Sequence, residues 1–260
     1  MSNSKESALS DPARTGRLLL PLFTLARDKD EFEYACALVR LTSYEMAGWD
    51  PLVESNQFIE NVMALAQAPL EPDARLRLGL VAYCHIIEME APCHMIANMA
   101  QIATGERYTC DPFGYGPRRL KKPSRHMRLE RMRELLRAVG HEAVADHMSA
   151  FVSGAIRNAF AHSQYAIRDG SFNICRGRGM SIGNTITHRV PIEEEVLPRI
   201  NGALAFWHGF YDHWVESRLA YKENKRVRAR IAPDGGYEGI ELMADETHGL
   251  YGFRGLESGS

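Results

Sequence analysis

Apolar side chains recur at helical spacing along most of the chain between Asp30 and His162. Spacings of three and four residues place them on one face of a helix, which predicts amphipathic helices rather than strands. Glycine and proline interrupt the pattern at residues 48–51 and 70–72, and so separate three helices. The pattern therefore constrains the chain to a mainly α fold.

Proline and glycine also set the boundaries of the later helices. Pro72 suits the first turn of a long helix, which Pro92 is expected to kink or divide. The proline and glycine residues within 106–124 predict a loop, and Gly140 ends the helix that follows it. Residues 141–162 are then predicted to form one continuous helix.

The period changes from helical to alternating after residue 162. Residues 165–174 alternate around Asp169-Gly170, a pair that suits a type I′ turn because both central positions need positive φ. With a further strand within 185–190, this predicts a β-hairpin region at about 165–190, followed by a helix from Pro191. The predicted fold is a helical bundle with a short hairpin inserted after its helix 141–162.

The two ends of the chain lack a clear helical pattern. Residues 1–28 are polar apart from a brief apolar run, which predicts a loose N-terminal tail. The last 28 residues hold seven glycines and no periodicity, which predicts a Gly-rich mobile tail over 233–260. One helical domain, residues 29–232, is expected between them.

Composition indicates a packed globular protein, because 45% of the residues are hydrophobic and 25% are charged. The five cysteines are odd in number and lack CxxC spacing, which argues against a disulfide framework or a cysteine-bound zinc ion. Free thiols favour a reducing compartment. The apolar run at residues 18–23 is too short to span a bilayer. We therefore expect a cytoplasmic protein with no membrane contact.

The end of helix 141–162 carries three side chains of chemical interest. On a helical wheel Asn158 and His162 share a face, and Arg157 points away from the apolar face. An imidazole moves protons near neutral pH, a guanidinium stabilises charge on phosphate, and RNA carries its own 2′-hydroxyl nucleophile. These groups suffice for cleavage of RNA without a metal. The alternative is that they only cap the helix end and bind a carboxylate.

Small residues lie near Arg157 on the same wheel, namely Ala150, Gly154 and Ala161. They allow another backbone to approach closely. Glycine inside a helix costs about 1 kcal/mol relative to alanine. A close contact on this face would explain Gly154.

Residues 157–162, Arg-Asn-Ala-Phe-Ala-His, resemble the Arg-x4-6-His motif of the HEPN superfamily, with the polar residue that often follows the arginine. The wider segment 156–165 is similar to HEPN-like proteins in which the motif runs into a short hairpin. Residues 85–100 and 111–113 also look similar. The resemblance covers roughly residues 75–215.

This resemblance implies an α-helical bundle that forms a homodimer, with two motif copies facing each other across a cleft. Many members are metal-independent endoribonucleases of toxin–antitoxin, abortive-infection and related phage-defence systems, and others bind RNA or nucleotides without cutting. By resemblance, Arg157 and His162 would be catalytic, and Asn158 would position the substrate or His162. Tyr165, three residues after the motif, would support it. RNA and an antitoxin protein are the implied partners, with no cofactor and no metal, and Ala150, Gly154 and Ala161 would form the dimer contact.

Residues 118–137 form a basic segment with nine basic and two acidic residues, in a chain of net charge −2. Such asymmetry is typical of proteins that bind a polyanion, and nearby aromatic rings could stack on unpaired bases. The alternative is a solvated helix face with pairs such as Arg131–Glu134. The residues predicted to bind RNA are Arg118, Arg119, Lys121, Lys122, Arg125 and Tyr115.

A second set of polar residues lies on the long helix that begins at Pro72. His85 and Glu88 face one way, but Glu90 and His94 point elsewhere, so one shared metal site is not expected. Glu88 is instead predicted to orient a motif residue from the adjacent helix.

Overall fold

The computed structural model describes residues 10–40, 50–114, 125–230 and 236–256. The described chain is mainly helical, as its apolar spacing predicts. It divides into two compact units. The first unit comprises residues 1–15, 51–89 and 146–209, and the second comprises residues 16–50, 90–145 and 210–260.

The elements are numbered in chain order within the described residues. The helices are α1 (Pro12–Lys29), α2 (Glu31–Val39), α3 (Pro51–Ala66), α4 (Pro72–Glu88), α5 (Ala91–Ala103), α6 (Arg125–Ala138), α7 (Ala143–Phe151), α8 (Gly154–Ala161) and α9 (Leu197–Leu219), with a π-helical turn at Ile192–Val196 before α9. The strands are β1 (Tyr165–Arg168), β2 (Ser171–Ile174), β3 (Met180–Ile182), β4 (Thr185–Thr187), β5 (Arg189–Pro191), β6 (Lys225–Arg230), β7 (Tyr237–Asp245) and β8 (Gly249–Gly255).

The first unit packs α3 against α4 and α4 against α8. Strands β1 and β2 form the predicted hairpin, with Tyr165 opposite Ile174, and β5 pairs with the far side of β2. Asp169 and Gly170 have φ values of 50° and 67°, as a type I′ turn requires. Phe172 and Val190 are fully buried and anchor this sheet in the core.

The second unit packs α5 against α2 and α6. A three-stranded antiparallel sheet in the order β6-β7-β8 lies against α2, where Phe253 meets Phe32 with their ring centroids 5.2 Å apart. The side of the sheet that faces α2 is apolar, with Ala229, Leu242 and Leu250 fully buried. Polar residues alternate with these, as in a sheet with one solvated side.

Both predicted tails are wrong for the part of the chain that is described. Residues 12–29 form α1, in which Leu19 and Leu22 are fully buried, because the apolar residues of the run at 18–23 recur at helical spacing. Residues 237–255 form β7 and β8. One glycine of this segment is structural: Gly249 has a φ of 63°, and a β-carbon there would collide with the carbonyl of Arg218.

The structure divides both long predicted helices. The stretch that begins at Pro72 ends at Glu88 and restarts at Ala91, which confirms the division near Pro92. Residues 141–162 are not one helix, because Ser153 is extended, with a φ of −129°. Gly154 is the first residue of α8 and does not lie inside a helix. The cost of about 1 kcal/mol for a glycine inside a helix therefore does not apply to it.

Within the described residues every helix is too short or too polar to cross a membrane. The five cysteines are free thiols, and Cys36 is buried, which raises the pKa of its thiol.

Candidate functional site

The break before α8 is held by the hydroxyl of Tyr83, a fully buried residue of α4. This hydroxyl donates a hydrogen bond to the Phe151 carbonyl at 3.0 Å and accepts one from the Ser153 backbone N–H at 2.8 Å. The Ser153 side chain caps α8 by accepting from the Ile156 N–H at 3.4 Å. Ile156 and Ala159 then bury the inner side of the helix, and its other side carries the motif.

Arg157 is held between two oxygens from different elements. Its Nε forms an ion pair with Oε1 of Glu88, the last residue of α4, and its Nη1 donates to Oδ1 of Asn158 at 2.9 Å. The side chains of Arg157 and Glu88 are 27% and 38% exposed, so solvent reaches the pair. The predicted contact between Glu88 and a motif residue is therefore present, although Glu88 is half-buried rather than buried. No described residue hydrogen-bonds to Nη2 of Arg157.

His162 lies at the carboxyl end of α8, and its backbone N–H donates to the Asn158 carbonyl at 3.1 Å. Its side chain is exposed, and no described residue hydrogen-bonds to the imidazole. Ser163 follows with a φ of 53°, a left-handed conformation that turns the chain out of the helix and towards β1. Asn158 therefore contacts Arg157 through its side chain and His162 through its backbone.

Tyr165 connects the motif helix to the hairpin by ring packing. Its ring centroid lies 5.3 Å from that of Phe160 and 5.0 Å from that of Phe172, with the second pair stacked. The half-buried Tyr165 thus fixes β1 beside the end of α8.

The small residues of the predicted dimer contact are all exposed. A β-carbon on Gly154 would meet no atom within 4 Å. Because Ala150 belongs to α7 and Gly154 and Ala161 to α8, the three residues do not form one continuous helix face, contrary to the wheel.

The predicted RNA-binding residues are only partly described. Tyr115, Arg118, Arg119, Lys121 and Lys122 lie outside the described residues, and of Arg125 only the backbone is described, as the start of α6.

The remaining arginines of the basic segment are engaged with carboxylates. Arg131 pairs with Glu134 at 2.8 Å and Arg133 with Glu130 at 2.6 Å, as in a solvated helix face. Arg128 is 8% exposed, with its Nη1 lying 3.2 Å from Glu90. The described part of the segment therefore presents little unpaired positive charge.

His85 lies in the first unit and His94 in the second. His85 packs against Phe58 and His94 against Phe113, with centroids 4.6 Å and 5.3 Å apart, and burial lowers the pKa of both imidazoles. No group of three or more histidine, cysteine or acidic side chains comes close enough to hold a metal in the ranges that the structure describes.

Two residues that position the site were missed in the sequence. Ser153 had a signal, because Ser-Gly commonly marks a break and serine is a preferred helix cap. Tyr83 had no such signal. A buried tyrosine hydroxyl needs a hydrogen-bond partner, but the sequence does not show which residue that partner is.

Removing the Tyr83 hydroxyl should destabilise the protein. Tyr83→Phe leaves the buried N–H of Ser153 and carbonyl of Phe151 without this partner, at an expected cost of about 1–3 kcal/mol. Urea unfolding measures this loss in the free energy of unfolding. Tyr165→Phe is the matched control, since no described residue bonds to its hydroxyl, and it should change stability by less than about 0.5 kcal/mol. Equal effects of the two variants would show that the Tyr83 hydroxyl does not hold the break.

The chain was compared with known proteins. No family model matches it, and neither a curated protein nor a solved structure matches it significantly.

Proposed function

We propose that this chain is an endoribonuclease of HEPN type that cleaves RNA by attack of the 2′-hydroxyl on the adjacent phosphate. One observation carries the proposal: the ion pair with Glu88 and the hydrogen bond to Asn158 hold Arg157 on the solvent side of α8, the short helix that ends at the exposed His162.

The chemistry assigns a role to each group. His162 accepts the proton of the 2′-hydroxyl or returns one to the leaving 5′-oxygen. Arg157 places its Nη2 against the phosphate and stabilises the charge that grows on the non-bridging oxygens. The O2′–P bond forms and the P–O5′ bond breaks, which leaves a 2′,3′-cyclic phosphate and a 5′-hydroxyl.

This reaction needs both a proton acceptor and a proton donor, and one motif supplies one imidazole. A second copy of the chain would supply the other. Gly154 and Ala161, which are exposed and seven residues apart on α8, support a second copy approaching here, because small side chains let two backbones come close. The active species would then be a homodimer.

The alternative is a non-catalytic module that binds RNA, a nucleotide or a protein partner. The carboxylate of Glu88 is the feature that fits this alternative, because it offsets the positive charge that Arg157 would otherwise bring to a transition state.

Cleavage in the presence of EDTA separates the two functions. The protein is expected to cut 5′-labelled RNA and to leave a 2′,3′-cyclic phosphate, and His162→Ala should lower the rate at least about 100-fold because proton transfer is lost. The exposed side chain of His162 allows the substitution without loss of fold.

His248→Ala is the matched control, because His248 is exposed and lies in the turn between β7 and β8, outside the motif and the basic segment. It should cleave at the rate of the unaltered protein. Equal cleavage by the His162 variant, or none by any of the three proteins, would refute the nuclease and favour the binding module.

A further inference from the structure

The hairpin region of the first unit carries an excess of positive charge. Residues 165–191 contain four arginines and one acidic residue, Asp169, in a chain of net charge −2. Two of these arginines, Arg176 and Arg178, are exposed and lie in the segment 175–179 between β2 and β3, which we call the arginine loop. Neither forms a hydrogen bond or an ion pair with a described residue. The loop therefore presents two guanidinium groups to solvent.

The arginine loop has a defined backbone shape. Gly177 and Gly179, which follow the two arginines, have φ values of 102° and 71°, conformations that favour glycine. The Gly177 carbonyl accepts a hydrogen bond from Nε2 of His188 at 3.1 Å. A β-carbon on Gly179 would lie only 2.6 Å from the carbonyl oxygen of Thr187. The loop is thus packed against the junction of β4 and β5, and a ligand that binds its arginines has little backbone to order.

The arginine loop begins beside the end of the motif helix. The backbone N–H of Cys175 donates to the carbonyl of Gln164 at 2.8 Å, and Gln164 follows the exposed His162 by two residues. The motif and the loop both belong to the first unit. A chain-like ligand that contacts His162 therefore finds the two free arginines on the segment hydrogen-bonded to the next part of the chain.

We propose that the arginine loop binds the RNA strand on one side of the cleavage site, with Arg176 and Arg178 contacting phosphates that flank the phosphate held by Arg157. Guanidinium groups bind phosphate oxygens through two parallel hydrogen bonds, and two neighbouring arginines suit a ligand with repeated phosphates. The proposal rests on the proposed nuclease function and adds a substrate class to it. The substrate would be an RNA chain of several nucleotides, because a dinucleotide has a single phosphate.

Binding is measured by the fluorescence anisotropy of a labelled 2′-O-methyl RNA of about 20 nucleotides, which lacks the nucleophile and reports binding without cleavage. Arg176→Gln/Arg178→Gln is expected to weaken binding about 10-fold or more. It should also reduce the slope of log affinity against log salt by about 1.4, about 0.7 for each lost phosphate contact. Both side chains are exposed, so the fold should be kept, and circular dichroism checks this.

Lys222→Gln/Arg226→Gln is the matched control, because it removes two exposed positive charges of the second unit. It should change the affinity less than about 2-fold, since it removes no phosphate contact. Equal losses in the two double variants, or no loss in the arginine-loop variant, overturn the proposal. Binding of anionic vesicles through Arg176 and Arg178 without binding of RNA overturns it as well.

Cleavage distinguishes this proposal from the nuclease itself. The arginine-loop variant should cleave a dinucleotide as fast as the unaltered protein does, while its kcat/KM for the longer RNA should fall about 10-fold with the lost binding. Equal losses on both substrates would assign the arginines to the cleavage step and overturn the proposal. If no protein cleaves either RNA, the nuclease is refuted, and binding of the 2′-O-methyl RNA still decides whether the loop holds the strand.

Discussion

Replacement of Arg157 by alanine is expected to lower the rate of RNA cleavage by about 10²–10³-fold, the usual effect of removing one donor that stabilises a charged transition state. The fold should survive, because the ion pair with Glu88 is reached by solvent and such pairs contribute less than about 1 kcal/mol. Single-turnover cleavage of labelled RNA measures the rate, and urea unfolding measures the stability.

Two conservative variants test how Arg157 is held. Arg157→Lys should recover little activity, because an ammonium group cannot contact Glu88, Asn158 and a phosphate with the fixed fork of a guanidinium. Glu88→Gln keeps an oxygen for Nε and should lower kcat about 10-fold with KM little changed, as expected of a positioning residue. If Glu88→Gln raised the rate instead, Glu88 would be competing with the phosphate for Arg157.

Acid should destabilise the protein strongly between pH 6.5 and pH 4. Burial lowers the pKa of His147 and of His213 from 6.5 to about 4, and the charge of Arg14 adds to the effect on His147. In this window the unfolded chain binds the protons and the folded chain does not, so stability is complete above pH 6.5 and is lost as the pH falls. At about 1.4 kcal/mol per pKa unit, each histidine contributes roughly 3 kcal/mol to this loss.

The free energy of unfolding, measured in urea at intervals from pH 7 to pH 4, tests this. His147→Gln keeps a group that can bond to the Thr15 hydroxyl, which lies 3.1 Å from Nε2 of His147, but it does not titrate. His213→Leu removes the imidazole that packs on Phe23 at 4.6 Å. In each variant the fall in the free energy of unfolding between pH 7 and pH 4 should be smaller by roughly 3 kcal/mol, whatever the variant's stability at pH 7. An unchanged pH dependence in both variants would exclude these histidines as its cause.

The elements that were predicted well are those whose signals are local. Pro72 begins a helix, Asp169-Gly170 makes the turn of the hairpin and the chain divides beside Pro92, because each of these residues restricts its own backbone. The β6-β7-β8 sheet was missed although its strands pair as two successive hairpins, because its many glycines suggested mobility. The alternation of arginine with Val227 and Ala229 was the available signal.

The candidate site shows the same limit. The spacing of Arg157, Asn158 and His162 could be read from the sequence, and so could an interaction of Glu88 with the motif. The break at Ser153 depends on a hydrogen bond to Tyr83, 70 residues away. Helical periodicity contains no information about a partner so distant in the sequence. The division of the small-residue strip between two helices followed from this break and could not be foreseen without it.

Helix α8 is only eight residues long, and an isolated helix of that length is unstable in water. Its order depends on its cap, on Tyr83 and on the two side chains that it buries. We therefore expect the motif to unfold locally while the rest of the molecule stays folded, and the amide hydrogens of residues 157–161 to exchange with solvent through that opening. A substrate that contacts both Arg157 and His162 would bind only the folded helix. Binding would therefore slow the exchange of the amide hydrogens in α8.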